Sequence, residues 1–228
     1  MRPRRSPCRS SRGARGRARR RAAAGHSKSP AAPGRTEIAN VRAFVAILLD
    51  DAVRRSLGEA IEQLRPAARD VAWIAVGNLH LTLKFLGSVP EANIEPVTGA
   101  VREASVGMSP FEARIRGLGA FPSAGRPRVL WAGVADGAAQ MTELARRVDT
   151  TLAALGFAAE ERPFSPHITL GRVRRPGRDP ALTDALGRGA IRELGRMPVP
   201  SVSLMRSELN PQGARYTELA SVMFRGPV

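Results

Sequence analysis

The chain has 228 residues and a hydrophobic content of 43%, enough for one ordinary domain or for two small lobes around a shared core. Of its 36 Lys and Arg residues, twelve fall in residues 1–35, which hold no Asp or Glu; the other 24 face 20 acidic residues, so residues 36–228 carry only about +4 of the formal +16. Cys8 is the only cysteine, which excludes an intrachain disulfide and a cysteine-based zinc centre.

Residues 1–40 are rich in Arg, Ser, Ala and Gly and poor in large apolar side chains, so they cannot offset their ordering entropy and are expected to form a disordered basic tail. That composition suits a nucleic-acid-binding arm, an organelle-targeting peptide or a stretch upstream of the true start. Only Lys28 and Lys84 are lysines, and the bias toward Arg, Ala, Gly and Pro is that of a GC-rich genome, which points to a start near Val41. No apolar run approaches the roughly 18 residues of a membrane span. The body, residues 41–228, is expected to be cytoplasmic and to have no membrane partner.

The run at 42–49 suits a buried strand, and Asp51 is placed to cap the helix that follows. Val53, Leu57, Ala60, Ile61 and Leu64 recur at the helical period and predict one buried face. Val71–Ile74 and Leu79–Leu86 read as strands, Ile94, Val97 and Val101 mark a second helix, and a strand is expected near 111–118. The order then recurs. Arg128–Val134 is strand-like, Asp136 is a candidate cap, and Met141, Leu144, Val148, Leu152 and Leu155 form an apolar stripe ending at Gly156. A further strand is expected within Pro163–Gly171, a loop at 174–180, and a helix over 181–194. Residues 199–209 and 214–224 form a predicted hairpin around Asn210-Pro211-Gln212-Gly213. Recurrence of one element order predicts an α+β fold of two related lobes, with two antiparallel sheets facing a cleft and helices outside.

Two of the three histidines stand in matching contexts, His80-Leu81-Thr82-Leu83 and His167-Ile168-Thr169-Leu170, while His26 lies in the tail. Strand side chains alternate, so His80 and Thr82 share one face and Leu81, Leu83 and Phe85 take the other; the same parity joins His167 to Thr169. A lone strand histidine is ordinarily structural. One His-x-Thr-x segment in each half is a different matter, because two imidazoles and two hydroxyls around one cleft suit phosphodiester cleavage. An imidazole with an unperturbed pKa of about 6.5 gives or takes a proton near neutrality. The hydroxyls can donate to non-bridging phosphate oxygens. Neither segment has further ligands at metal-binding spacing, so no metal and no cofactor are expected.

The chain resembles the 2H phosphoesterase superfamily, and within it the RNA 2′,3′-cyclic phosphodiesterases, also called 2′-5′ RNA ligase-like. The resemblance rests on Arg42-Ala43-Phe44-Val45-Ala46-Ile47, on Asn78 through Gly87, on Pro163 through Arg172, and on Ser207-Glu208-Leu209 with Arg215-Tyr216. It implies His80 as general acid, His167 as general base, Thr82 and Thr169 as phosphate contacts, and a 2′-phosphomonoester product. The residues alone leave open which histidine is acid and which oxygen departs. Arg172 is a candidate phosphate contact that needs a twist or bulge at Gly171 to reach the cleft. Phe44 is a candidate base-stacking residue from the cleft floor, with core packing as its other role. Lys84 is expected to be solvated, and Trp73 and Trp131 to lie in the core. The expected partner is RNA ending in a 2′,3′-cyclic phosphate, tRNA fragments included, acted on by a monomer. Ligation in the 2′-5′ sense, a small cyclic nucleotide as substrate, a nucleotide-binding module without turnover, and an RNA-binding role for the tail are the rival readings.

Overall fold

The computed structural model describes residues 39–211 and 213–227, so the expectations for the basic tail lie almost wholly outside the described residues. Nine strands and four helices follow one another as β1 (Asn40–Leu48), α1 (Asp51–Leu64), β2 (Val71–Trp73), β3 (His80–Pro90), α2 (Ile94–Ala104), β4 (Phe111–Phe121), β5 (Val129–Val134), α3 (Ala138–Ala153), β6 (His167–Val173), α4 (Pro180–Gly189), β7 (Glu193–Val199), β8 (Ser201–Asn210) and β9 (Gly213–Met223) among the described residues. The strands form two sheets, in the orders β3-β1-β8-β9 and β2-β6-β5-β4-β7. Every pairing is antiparallel.

The two sheets repeat one plan. In each, a strand (β1, β5) leads through a helix (α1, α3) to a histidine-bearing strand (β3, β6) that pairs back antiparallel to it. The inward faces of both sheets and the apolar faces of the helices share one core, which includes Val45, Ile47, Leu81, Ile115, Leu130 and Ile168. Helix α1 buries Val53, Leu57, Ala60, Ile61 and Leu64, the face that its apolar period predicts. The other face of the first sheet carries a separate small cluster of Phe44, Ala46 and Met205, with Tyr216 against it.

Several boundaries differ from expectation for local reasons. Asp50, not Asp51, caps α1 by accepting from the Val53 amide at 2.7 Å, while Asp51 pairs with Arg54. Asp136 does not cap α3. Its carboxylate meets Arg114 at 2.9 Å, and Gly137 takes the cap position at φ 83°, where a Cβ would stand 2.9 Å from the Glu112 carbonyl oxygen. Leu155 lies past the end of α3 and is 44% exposed. The helix expected over 181–194 ends at Gly189, and Glu193–Val199 is instead an edge strand, a position that tolerates its Pro198.

The departure with most consequence is a pair of bulges. Val45 faces Lys84 and Ala46 faces Thr82, so Leu83 is an extra residue in β3; Leu130 faces Gly171 and Trp131 faces Thr169, so Leu170 is an extra residue in β6. Each bulge falls three residues after a histidine and reverses the side-chain parity beyond it. Lys84 therefore turns inward rather than to solvent and is only 3% exposed. Its amine donates to the Asp149 carboxylate at 2.5 Å and to the Ala158 carbonyl at 2.7 Å, with Glu160 at 3.7 Å. Replacing Lys84 by Ala leaves a half-buried carboxylate without its cation. Because Asp149 keeps some water and the Glu160 amide, the expected cost is about 3 kcal/mol, the lower end for breaking a buried pair. Urea unfolding measures it, and a loss below about 1 kcal/mol would show that the pair contributes no more than a surface one.

Candidate active site

His80 and His167 are each the first residue of their strands, and each is anchored in the same way. The Nδ1 of His80 bonds the Asn78 carbonyl at 2.8 Å, and the Nδ1 of His167 bonds the Ser165 carbonyl at 2.7 Å. A carbonyl only accepts, so Nδ1 carries the proton in both rings and Nε2 is left free to take or give one. Asn78 is fixed in turn by its side-chain amide, which donates to the Ala214 carbonyl at 2.6 Å at the start of β9. The local cause is a 3-10 turn over Val76–Asn78, which delivers the Asn78 carbonyl to the ring two residues on.

Register places the rest of the set. On the first sheet, Leu48 faces His80, Ala46 faces Thr82 and Phe44 faces Phe85, so all six side chains share one face. On the second, Gly133 faces His167, Trp131 faces Thr169 and Val129 faces Arg172. The bulge at Leu170 thus brings exposed Arg172 to the face of His167 and Thr169, while Phe85 occupies the matching position after the other histidine. The two histidine strands meet where the sheets join, with β3 and β6 approaching within 8 Å between Cα atoms.

Three expectations change here. Phe44 is 3% exposed and has no free face for a base; its ring supports His80 at 4.8 Å between centroids. Phe85, expected inward by simple alternation, is 62% exposed on the site face. Trp131, expected in the core, lies on the site face opposite Thr169 and borders the same cavity as His167. Tyr216 and Phe121 complete the aromatic surround, Tyr216 edge-on to His80 at 5.2 Å and Phe121 edge-on to His167 at 5.0 Å. Tyr216 is among the residues that carry the family resemblance, whereas nothing in the sequence around Phe121 marks it as part of the site. Trp73 packs against the core beneath the Arg65 guanidinium, as half of a cation–π pair.

Burial lowers the pKa of His80, because the charged ring loses hydration; the bond to the Asn78 carbonyl opposes this more weakly. Among the described residues no three His, Cys, Asp or Glu side chains are grouped to hold a metal ion. No helix among them is long and apolar enough to cross a membrane.

The model of the 2′-5′ RNA ligase superfamily matches residues 53–211, a span that includes both His-x-Thr segments. The chain belongs to this superfamily. A Methanothermobacter thermautotrophicus protein named RNA 2′,3′-cyclic phosphodiesterase is 38% identical over 179 residues, covering 78% of this chain and 96% of its own. A Thermus thermophilus protein of the same name is 36% identical over 191 residues, covering 82% and 91%. The crystal structure of the Thermus thermophilus protein TT0787 superimposes with a TM-score of 0.67 at 34% identity, covering 81% of this chain and 98% of that one. The two-sheet α+β architecture is thus that of the superfamily.

The burial that lowers the His80 pKa has a direct test. In the free protein the His80 ring titrates below the ordinary value of about 6.5. Tyr216→Ala admits water to the ring and moves its titration upward, as read by NMR of the imidazole. A titration unmoved by Tyr216→Ala would mean that this wall is not what dries the ring.

Proposed function

We propose that the chain is an RNA 2′,3′-cyclic phosphodiesterase that opens the cyclic phosphate to a 2′-phosphomonoester by two-histidine acid–base catalysis, without a metal. The observation that carries this reading is the matched anchoring of the two imidazoles. Both rings hold their Nδ1 proton on a carbonyl two residues upstream, and both present Nε2 beside a threonine on the same strand face.

The chemistry follows from that state. Neutral His167 takes a proton from water at Nε2 as the water oxygen bonds phosphorus. Protonated His80 gives its Nε2 proton to the departing 3′ oxygen, leaving the phosphate on the 2′ oxygen. Each Nδ1–H stays on its carbonyl, which favours the charged ring whenever it forms. Thr82 and Thr169 donate to the non-bridging oxygens, where charge grows in the transition state. Arg172, on the face of Thr169, adds a cation for the same oxygens. The enzyme acts as a monomer in the cytoplasm, on RNA ends that include tRNA fragments. A binding module without turnover has no need of two rings with their second nitrogens held free.

His80→Ala and His167→Ala each lose about 10²–10⁴ in kcat, the usual contribution of a positioned acid or base. The assay follows a 2′,3′-cyclic-phosphate oligonucleotide in the presence of chelator, where wild-type activity persists. Full activity in either variant, or loss of wild-type activity on chelation, would overturn the mechanism.

The pH profile is bell-shaped, with the alkaline limb set by loss of the His80 proton. In the free enzyme burial lowers that pKa, so the limb of kcat/KM falls early. A bound phosphate anion beside the ring favours its charged form, and the limb of kcat moves to higher pH. Coincident alkaline limbs in the two profiles would contradict the assignment of His80 as acid.

A further inference from the structure

The two halves diverge just beyond their histidines. After His80 the stretch Phe85 through Pro90 carries no charge, whereas residues 172–178 after His167 hold four arginines and no acidic residue. Residues 126–128, which lead into β5, add Arg126 and Arg128. All six are exposed. They outnumber the whole net charge of about +4 on residues 36–228, so the rest of that body is slightly acidic. A local excess of one sign, which the repeated plan of the fold does not require, is the footprint of an anionic partner.

Backbone pairing brings the two segments to one end of the second sheet, next to the site. The Val173 amide donates to the Arg128 carbonyl and the Arg174 amide to the Asp70 carbonyl, each at 2.9 Å, so the ladder runs one residue past β6. Arg174 follows Arg172 by two residues, and strand alternation returns it to the same face roughly 6.6 Å further along. Pro127 and Arg178 border one small cavity of about 100 Å³, where the two loops meet. The two carboxylates at this cavity are already engaged. Asp70 pairs with Arg175 at 3.0 Å, and Asp179 caps α4 by accepting from the Leu182 amide at 3.0 Å. Arg126, Arg128, Arg172, Arg174 and Arg178 have no ion pair among the described residues.

We propose that Arg128, Arg174 and Arg178 form a track for the backbone of single-stranded RNA, which holds the nucleotides upstream of the reacting end and makes a polynucleotide a better substrate than a cyclic mononucleotide. This rests on the reading above, in which the cyclic phosphate lies between His80 and His167. A 2′,3′-cyclic phosphate closes the 3′ end of a strand. All remaining nucleotides are therefore joined through the 5′ oxygen of the terminal nucleoside and leave the site along one path. Arg172, on the face of Thr169, marks where a cationic path begins, and the arginines beyond it continue it. The stretch Phe85 through Pro90 offers no cation for a path along the other half. Each phosphate met by an arginine releases condensed counterions, a source of affinity that is indifferent to base sequence.

The test compares two substrates on the full chain, adenosine 2′,3′-cyclic phosphate and a short oligoadenylate ending in the same group. In wild type kcat/KM is higher for the oligoadenylate, and added salt erodes that advantage. The double variant Arg174→Gln, Arg178→Gln leaves the thermal midpoint and turnover of the mononucleotide unchanged. For the oligoadenylate it lowers kcat/KM about tenfold, and the slope of log kcat/KM against log salt becomes shallower by about 0.7 for each arginine removed. Equal wild-type rates on the two substrates, or an equal loss on both in the variant, would overturn the track. So would an oligoadenylate rate that the variant leaves intact, which would place the RNA elsewhere, as on the basic residues 1–35. If wild type turns over neither substrate, the proposed activity falls instead. The track is then decided by fluorescence anisotropy of the labelled oligoadenylate, which must bind the variant about tenfold more weakly than wild type.

Discussion

One extra residue, inserted three positions after each histidine, organises the site. Without it, strand parity would carry Lys84 to the face of Thr82 and would turn Phe85 and Arg172 inward. With it, Leu83 and Leu170 keep their apolar contacts, the next residue turns to the core, and the one after returns to the site face. A flat strand offers only every second residue to a ligand. A bulged one adds a side chain off the regular series at the cost of one unpaired position in the ladder. The two halves then spend that extra position differently, one on an aromatic ring and the other on a guanidinium.

The same backbone plan thus supports unlike halves. The first sheet fills its site face with Phe44, Met205 and Tyr216 around His80. The second places glycines at 119 and 133, which leaves room for Trp131 and for the void beside His167. Burial removes water from one ring and lowers its pKa, while the other borders open space. Two groups with identical anchoring are thereby given unlike surroundings by their walls alone, close aromatic packing around His80 and a cavity beside His167.

Much of this was legible in the sequence, because it depends on short-range periodicity. The helix α1 face, the His-x-Thr alternation and the β8–β9 hairpin each follow from spacing that the structure reproduces. What was hidden depends on partners far along the chain. A bulge is defined by the strand opposite, and nothing in Thr82-Leu83-Lys84 marks Leu83 as unpaired. Trp131 looks like a core residue until Gly119, twelve positions away, is seen to vacate the space beneath it. Arg172 is the intermediate case: the need for a bulge near Gly171 could be stated from parity, but its presence could not. The strand Glu193–Val199 was missed because its sheet contact runs along β4 alone, so its burial pattern is broken and admits Pro198.

Lys84 ties these observations together. Its amine leaves β3 on the core side and reaches Asp149 on α3 and Ala158 in the segment that leads to His167. An apolar side chain of similar volume could fill the space with little loss of stability, since buried ion pairs seldom exceed well-packed hydrophobic contacts. It could not fix a direction. The charge-assisted bonds to a carboxylate and a carbonyl hold the segment before β6 against the strand that begins with His80. The cation thus fastens α3 and the segment before β6 to β3, and the bulge at Leu83 is what makes its position available.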